Sequence, residues 1–456
     1  MRHRSTTRLT LGATAAALLG LLVPLAPAAM AADPDSAAVS RDSGDRDRSG
    51  GFKYKRVGYF IQWGVYARNF HVKDLETSGT ADKLTHINYA FGNVGSAGTC
   101  QMGGPGSDTW ADYVRPVGAA ESVDGVADAD GQALAGNFNQ LRKLKAEHPD
   151  LKLMISLGGW SGSAYFSDAA RTAAGRKALV ASCIDLYLKG NLPADGARGG
   201  AGAAAGLFDG IDLDWEWPGS EGAPGNGIRP EDKKNFTALV HEFRTQIDAY
   251  GKSLSRRKHF ELSAYVPTAP AKIDAGFEVS KIIRDFDFVN LQGYDFHVSG
   301  EKTTAQQSAL YARNDFSVDQ TVNAWLRRGA PARKLVTGLP FYGQGWTGVT
   351  GGGDGLGQPA AGPAPATWTA GTEDYKLLKK LADSGTYKLY RGQKNGHAWL
   401  FDGTTLWTYD DPTVLRAKAA YVRNEGLGGA MIWSLDGDTP NGELITAIDQ
   451  GLSRRH

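Results

Sequence analysis

Cysteine is scarce in this 456-residue chain, which holds only two. A scaffold stapled by several disulfides is therefore excluded, and no Cys/His set stands at zinc-ligand spacing. An excess of one charge is also missing: 50 Lys and Arg face 49 Asp and Glu, a formal net charge of +1. Nucleic acid and anionic membrane surfaces recruit a basic excess, so neither is expected as a partner. No Gly-x-Ser-x-Gly turn and no glycine-rich phosphate loop occurs, which sets aside a covalent serine mechanism and a nucleotide. Beyond residue 31 no apolar run is long enough to span a bilayer. The expectation is a chain with no cofactor and no metal.

Aromatics, by contrast, are plentiful, with 11 Trp and 17 Tyr. Their flat apolar faces and polar edges suit stacking against sugar rings, although most could equally fill a core. At the start of the chain, Arg2, Arg4 and Arg8 precede an apolar run from Leu9 to Leu25 that is broken by Gly20 and Pro24. Ala29-Met30-Ala31 then offers a small-x-small cleavage site. Residues 1–31 read as a secretory signal peptide and residues 32–51 as a polar, disordered linker, leaving a secreted, extracellular protein. In an exported chain Cys100 and Cys183 could pair, but one falls in a loop and the other in a helix, so the pairing stays open.

From Val57 onward the text alternates between short apolar strands and amphipathic helices. Expected strands are Val57–Trp63, Lys83–Phe91, Leu151–Gly159, Leu207–Pro218, His259–Pro267, Phe288–Phe296, Lys334–Gly343 and Gly428–Asp436. Expected helices include Asp130–Glu147, Asp168–Leu188, Pro230–Tyr250, Val318–Arg328, Pro412–Glu425 and Glu443–Leu452. Eight strand–helix units in series indicate an α/β fold, a (β/α)8 TIM barrel occupying residues 52–456. The rhythm breaks at 344–404, which reads as a small α+β insertion between strand 7 and helix 7. Within it lie Trp346, Trp368, Tyr375 and Trp399, expected to be mostly structural.

The fourth strand, LFDGIDLDWEWP, carries four acids. Side chains two apart on a strand share a face, so Asp212, Asp214 and Glu216 point one way while Ile211, Leu213 and Trp215 point the other. Three carboxyls on one strand face cannot all ionise cheaply, and at least one should keep its proton near neutral pH. A proton-holding carboxyl beside ionised ones is what acid catalysis requires. Asp209 has the opposite parity and reads as a structural acid. Polar residues also fall at the carboxyl ends of other strands, where barrel sites form: Glu216 is expected to close strand 4, Tyr294 and Asp295 strand 6, and Trp433 strand 8. His86 and His297 read as hydrogen-bonded packing groups.

These residues resemble glycoside hydrolase family 18, the retaining chitinases. Asp209-Gly210-Ile211-Asp212-Leu213-Asp214-Trp215-Glu216 matches the DGxDxDxE signature, supported by Ser156-Leu157-Gly158-Gly159-Trp160, Tyr294-Asp295, Leu339-Pro340-Phe341-Tyr342-Gly343 and Trp433. The resemblance covers about Val57 to Leu452. It implies Glu216 as proton donor, Asp214 orienting the substrate's acetamido group, Asp212 exchanging a proton with Asp214, and Tyr294 bonding the acetamido oxygen. Tyr59, Phe91, Gly159, Trp160, Trp217, Gln292, Asp295 and Trp433 would line the sugar subsites. Gln292 and Gln344 depart from the Met and Arg common in the family. The implied substrate is chitin or N-acetylglucosamine oligosaccharides, cut at β-1,4 links through an oxazolinium ion by a monomer. Alternatives are an endo-β-N-acetylglucosaminidase acting on N-glycans and a chitin-binding lectin of the same fold. The resemblance also implies non-proline cis peptides at Ala90-Phe91, Glu216-Trp217 and Trp433-Ser434.

Overall fold

Eight parallel strands close on themselves in the computed structural model, which describes residues 54–453 apart from 104–106, 393 and 395. They are β1 (Lys55–Ile61), β2 (His86–Val94), β3 (Lys152–Gly158), β4 (Gly210–Asp214), β5 (Glu261–Val266), β6 (Phe288–Leu291), β7 (Leu335–Pro340) and β8 (Gly429–Trp433). Each pairs with its successor, and β8 returns to β1 through Lys55–Gly429 to Gly58–Ile432. The fold is the expected (β/α)8 barrel. The signal peptide and linker lie outside the described residues. Among the described residues, no helix is long and apolar enough to cross a membrane.

Helices cover the barrel because their apolar residues fall on one stripe. In Asp232–Ser253 the buried Phe236, Leu239, Val240, Phe243 and Ile247 recur at helical spacing. Some expected bounds shift for visible reasons. The helix expected from Asp130 begins at Gly136, which has φ +58 and whose missing Cβ would lie 2.7 Å from the Ala111 carbonyl oxygen. The helix expected over 168–188 splits into Phe166–Ala170 and Ala173–Cys183, because Thr172 leaves helical geometry and its side chain caps Gly175 N–H, and it then continues as a π-turn over Ile184–Leu188. Cys100 and Cys183 are joined in a disulfide, with Cα atoms 5.0 Å apart.

After β7 comes a six-stranded antiparallel sheet with the helix Tyr375–Asp383. Its strands run from Tyr342 to Tyr409, wider than 344–404, because the first and last of its long strands, Tyr342–Thr347 and Leu406–Tyr409, pair with each other. Trp346 and Trp399 form its own small core with Val349, Phe401 and Leu406. Tyr375 is buried too, whereas Trp368 is 38 % exposed, with the Arg68 guanidinium over its ring at 5.0 Å.

Asp209 sits just before β4, at the end of the barrel where the strands begin. It accepts from Leu153 N–H (3.0 Å), from Lys258 (2.7 Å) and from Lys145. Those cations hold its carboxyl below the usual range against the opposing effect of burial. Asp209→Ala would leave two lysines facing each other, and should lower unfolding stability by about 2 kcal/mol, read as a lower urea midpoint at unchanged slope.

Candidate active site

Strand register builds the site's floor. Ser156 on β3, Asp212 on β4 and Ser263 on β5 are Cα partners in adjacent ladders, so three inward side chains meet in one layer. Asp212 is fully buried and accepts four hydrogen bonds: from Tyr59 (2.7 Å), Ser156 (2.8 Å), Ser263 (2.5 Å) and Asn290 (3.3 Å). Burial raises its pKa, and the four donors pull it back.

Asp214 lies one step along the same face and is treated very differently. Its Oδ1 is buried with no hydrogen-bond partner among the described residues. Burial, then the charges of Glu216 and Asp212, push its pKa far upward. With no donor to stabilise its anion, unlike Asp212, this carboxyl favours its protonated form. Glu216 stands where the inward face opens into a groove, and burial pushes it up to about 8, with Asp295 adding to the rise and Lys272 opposing it. The expectation that at least one of the three acids holds a proton near neutral pH agrees with these environments.

Glu216, Tyr294 and Asp295 do not close their strands as expected. β4 ends at Asp214 and β6 at Leu291, because the backbone beyond leaves the ladder for side-chain partners. Glu216 N–H donates to Ser163 Oγ (3.1 Å), and the Gln292 carbonyl accepts from Thr268 Oγ1 (2.7 Å). Ser163 also donates to the carbonyl oxygens of Gly159 and Asp214, so one hydroxyl ties the loop after β3 to the segment bearing the acids. Asp295 has φ +55, a conformation uncommon outside glycine, and its Oδ1 accepts from Tyr342 (2.7 Å) and Gln344 (2.9 Å).

The groove has a volume of about 860 Å³ and runs over Asp214, Glu216, Tyr294 and Trp433. Tyr59, Phe91, Trp160, Trp217, Gln292 and Asp295 also line it. Trp433 stacks on Phe91 at 5.7 Å and packs against Tyr59 at 5.3 Å, and Trp160 is 54 % exposed. Two of the expected residues lie beneath the groove wall: Asp212 under Asp214, and Gly159, whose Cβ would fall 2.6 Å from the Phe91 ring. Gly159 therefore seats the aromatic; φ +76 suits it to that turn. The three expected cis peptides are present. His86 bonds Glu261 and Thr85, and His297 bonds Glu301 and Asp315, as packing groups do.

Sequence reading missed Ser163, Tyr265 and Lys272. The Tyr265 hydroxyl is hydrogen bonded to that of Tyr294, and its ring stacks on Trp217 at 5.5 Å. Its parity on β5, two after Ser263, was the available signal. Ser163 and Lys272 lie on a loop and a short helix, where no period marks them.

A family model described as Glycosyl hydrolases family 18 matches residues 55–438. The chain is 40% identical to Chitinase 63 of Streptomyces plicatus over 423 residues, 90% of this chain and 62% of that protein. It thus spans about three-fifths of the length of that curated relative. The solved catalytic domain of psychrophilic chitinase B from Arthrobacter TAD20 is 45% identical, with a TM-score of 0.83 covering 88% of this chain and 95% of that one. A similar structure, catalytic domain 2 of Ostrinia furnacalis Group II chitinase, was solved in complex with (NAG)5; it is 26% identical, with a TM-score of 0.70 over 88% of this chain and 96% of that one.

A carboxyl raised to about 8 makes the folded protein bind a proton that the unfolded chain releases near 4.5. Stability should therefore fall as pH rises from about 4.5 to 8. Glu216→Gln should remove that loss: no gain at pH 4, a growing gain above it, and a plateau of about 2–4 kcal/mol above pH 8 in urea melts.

Proposed function

The chain belongs to glycosyl hydrolases family 18, and on that premise we propose that it is a secreted chitinase, hydrolysing β-1,4 links between N-acetylglucosamine units. One observation carries the substrate class. The buried, unpartnered Oδ1 of Asp214 needs a donor, and it lies with the Tyr294 hydroxyl in a groove lined by Trp433. A 2-acetamido group supplies what such a site lacks: an N–H for Asp214 and a carbonyl oxygen for Tyr294, with the pyranose ring stacked on Trp433. A sugar bearing only hydroxyls offers neither in that arrangement.

The chemistry follows from the division of labour among the acids. Glu216, protonated below about pH 8, gives its proton to the leaving glycosidic oxygen. As the glycosidic bond breaks, the acetamido carbonyl oxygen bonds to the anomeric carbon and forms an oxazolinium ion; in family 18 the substrate takes the nucleophile's place. The N–H of that ion carries the new positive character, and Asp214 accepts its hydrogen bond after passing its own proton toward Asp212. Four donors around Asp212 and its place on the same strand face as Asp214 support that exchange. Water then attacks the anomeric carbon while Glu216, now ionised, takes the water's proton, restoring the acid with net retention.

Export rests on residues 1–31, and action as a monomer on the intramolecular completeness of the site. The similarity to chitinases and the aromatic-lined groove favour chitin over an N-glycan. Glu216→Gln should cut turnover of N-acetylglucosamine hexamer by about 10^2- to 10^4-fold while oligomer binding persists in calorimetry. Asp214→Asn should fall by a similar order, and wild-type protein should leave a high-mannose glycoprotein intact. Near-normal hydrolysis by the Gln variant would overturn the assignment of the acid, and efficient glycoprotein release would overturn the substrate.

A further inference from the structure

Among the described residues lining the groove, Lys272 is the single cationic side chain, against three acids, Asp214, Glu216 and Asp295. A neutral polysaccharide gives a lysine no charge to meet. Its ammonium is nevertheless held by two partners. Lys272 sits on the short helix Pro270–Gly276 that follows β5, and its Nζ donates to the Glu221 carbonyl oxygen at 3.0 Å, in the loop that follows Glu216. The same Nζ lies 5.2 Å from the centre of the Trp217 ring, within cation–π range. Trp217 itself is only 3 % exposed, held between Tyr265 and this lysine. The wall next to the proton donor thus offers an ammonium group to the groove where an indole face would otherwise be bare.

We propose that Lys272 is a specificity-determining residue that keeps free-amine sugar units out of the position beside the Trp217 wall, on the leaving-group side of Glu216. The inference rests on the chitinase reading above and names the acetylation pattern it accepts. Deacetylated polymer carries an ammonium at C2 in mildly acidic water. At the position of the ring being cut, such a unit is excluded because it lacks the acetamido group. At the adjoining position nothing in the chemistry demands acetylation, so a cationic unit would be admitted there. Like-charge repulsion from Lys272 supplies the missing rejection. The groups facing the lysine are Glu216 from the segment after β4 and Glu221 from the next loop; Asp274, on the same helix, is paired outward with Arg328. Those facing Glu216 are Asp214, Asp295, Tyr265, Tyr294, Tyr342 and Lys272. Lys272 is thus the cation opposing the acids at both points.

The test is digestion of partially N-acetylated chitosan of known composition by the full chain and by Lys272→Gln, Lys272→Glu and Lys272→Arg, with the sugar at each newly formed non-reducing end identified by mass spectrometry. Scoring ends per cut made removes any dependence on overall rate. Wild-type and Arg proteins should leave these ends acetylated. The Gln variant should raise the share of free-amine ends roughly fivefold, and the Glu variant further. The difference should fade at a pH where the substrate amines are uncharged. A packing role alone would not produce that order or that pH dependence. As a second readout, the alkaline limb of kcat/KM should move to higher pH in the Gln variant, since the cation that opposes Glu216's rise is gone. Unchanged end composition in active Gln and Glu variants would overturn the proposal while leaving the chitinase reading standing. Failure of the wild-type protein to cut fully acetylated oligomers would overturn both.

Discussion

The carboxyl of Asp212 is the point on which the barrel interior depends. It is fully buried, and its four donors come from four different strands, β1, β3, β5 and β6. A buried carboxyl without donors would cost several kcal/mol, so those four side chains have no freedom to be apolar. In meeting that demand they also fix how the strands sit around β4. Asp214, one step nearer the groove, receives none of this support. The contrast between a satisfied acid and a starved one, two residues apart, is what leaves a proton and an open acceptor where a substrate can reach them.

That arrangement has a cost elsewhere in the molecule. Glu216 and Asp214 are held where their charged forms are disfavoured, and Asp295 is held at φ +55. The aromatic and hydrogen-bonded surroundings offset it. Tyr342 and Gln344, from the first strand of the inserted sheet, both donate to Asp295, and Thr369 and Thr372 from the same insertion line the groove. The insertion is therefore continuous with the site through its first strand, Tyr342–Thr347, which follows β7 directly in the chain. Arg68 adds a second tie, pairing with Asp374 of the insertion and Asp436 after β8.

Much of this was legible in the sequence because strand parity is a hard constraint. Asp212, Asp214 and Glu216 share a face by spacing alone, and the count of eight strand–helix units leads to a closed barrel whose carboxyl ends gather distant residues. The same parity would have offered Ser263 and Tyr265. What parity could not locate was the point at which a strand stops being a strand. Glu216 and Tyr294 leave the ladder because Ser163 and Thr268 capture backbone groups there, and those captures depend on loops approaching in three dimensions. Lys272 was hidden for the same reason: a seven-residue helix carries too little period to announce which side chain turns toward the groove. The pairing of Cys100 with Cys183 likewise rests on a short strand, Cys100–Gln101, where a loop was expected, meeting the helix Ala173–Cys183, a distance that sequence separation does not encode.

The four acids of one short segment show how function can be separated from architecture without reference to any relative. Asp209 stands before the strand with two lysines and a backbone N–H around it, and its pKa falls. Asp212, Asp214 and Glu216 follow from mid-strand to beyond its other end, with no paired cation in hydrogen-bond contact among the described residues, and their pKa values rise. A fold that needed those three only for cohesion would gain by replacing them with apolar residues, as the alternate face of the same strand does with Ile211 and Leu213. Their persistence in a buried, unpaired state is explained by a task that requires a mobile proton. Hydrogen-bonded lysines beside one acid, and none in hydrogen-bond contact with the other three among the described residues, are the electrostatic mark that distinguishes the end of the barrel that holds it together from the end that acts.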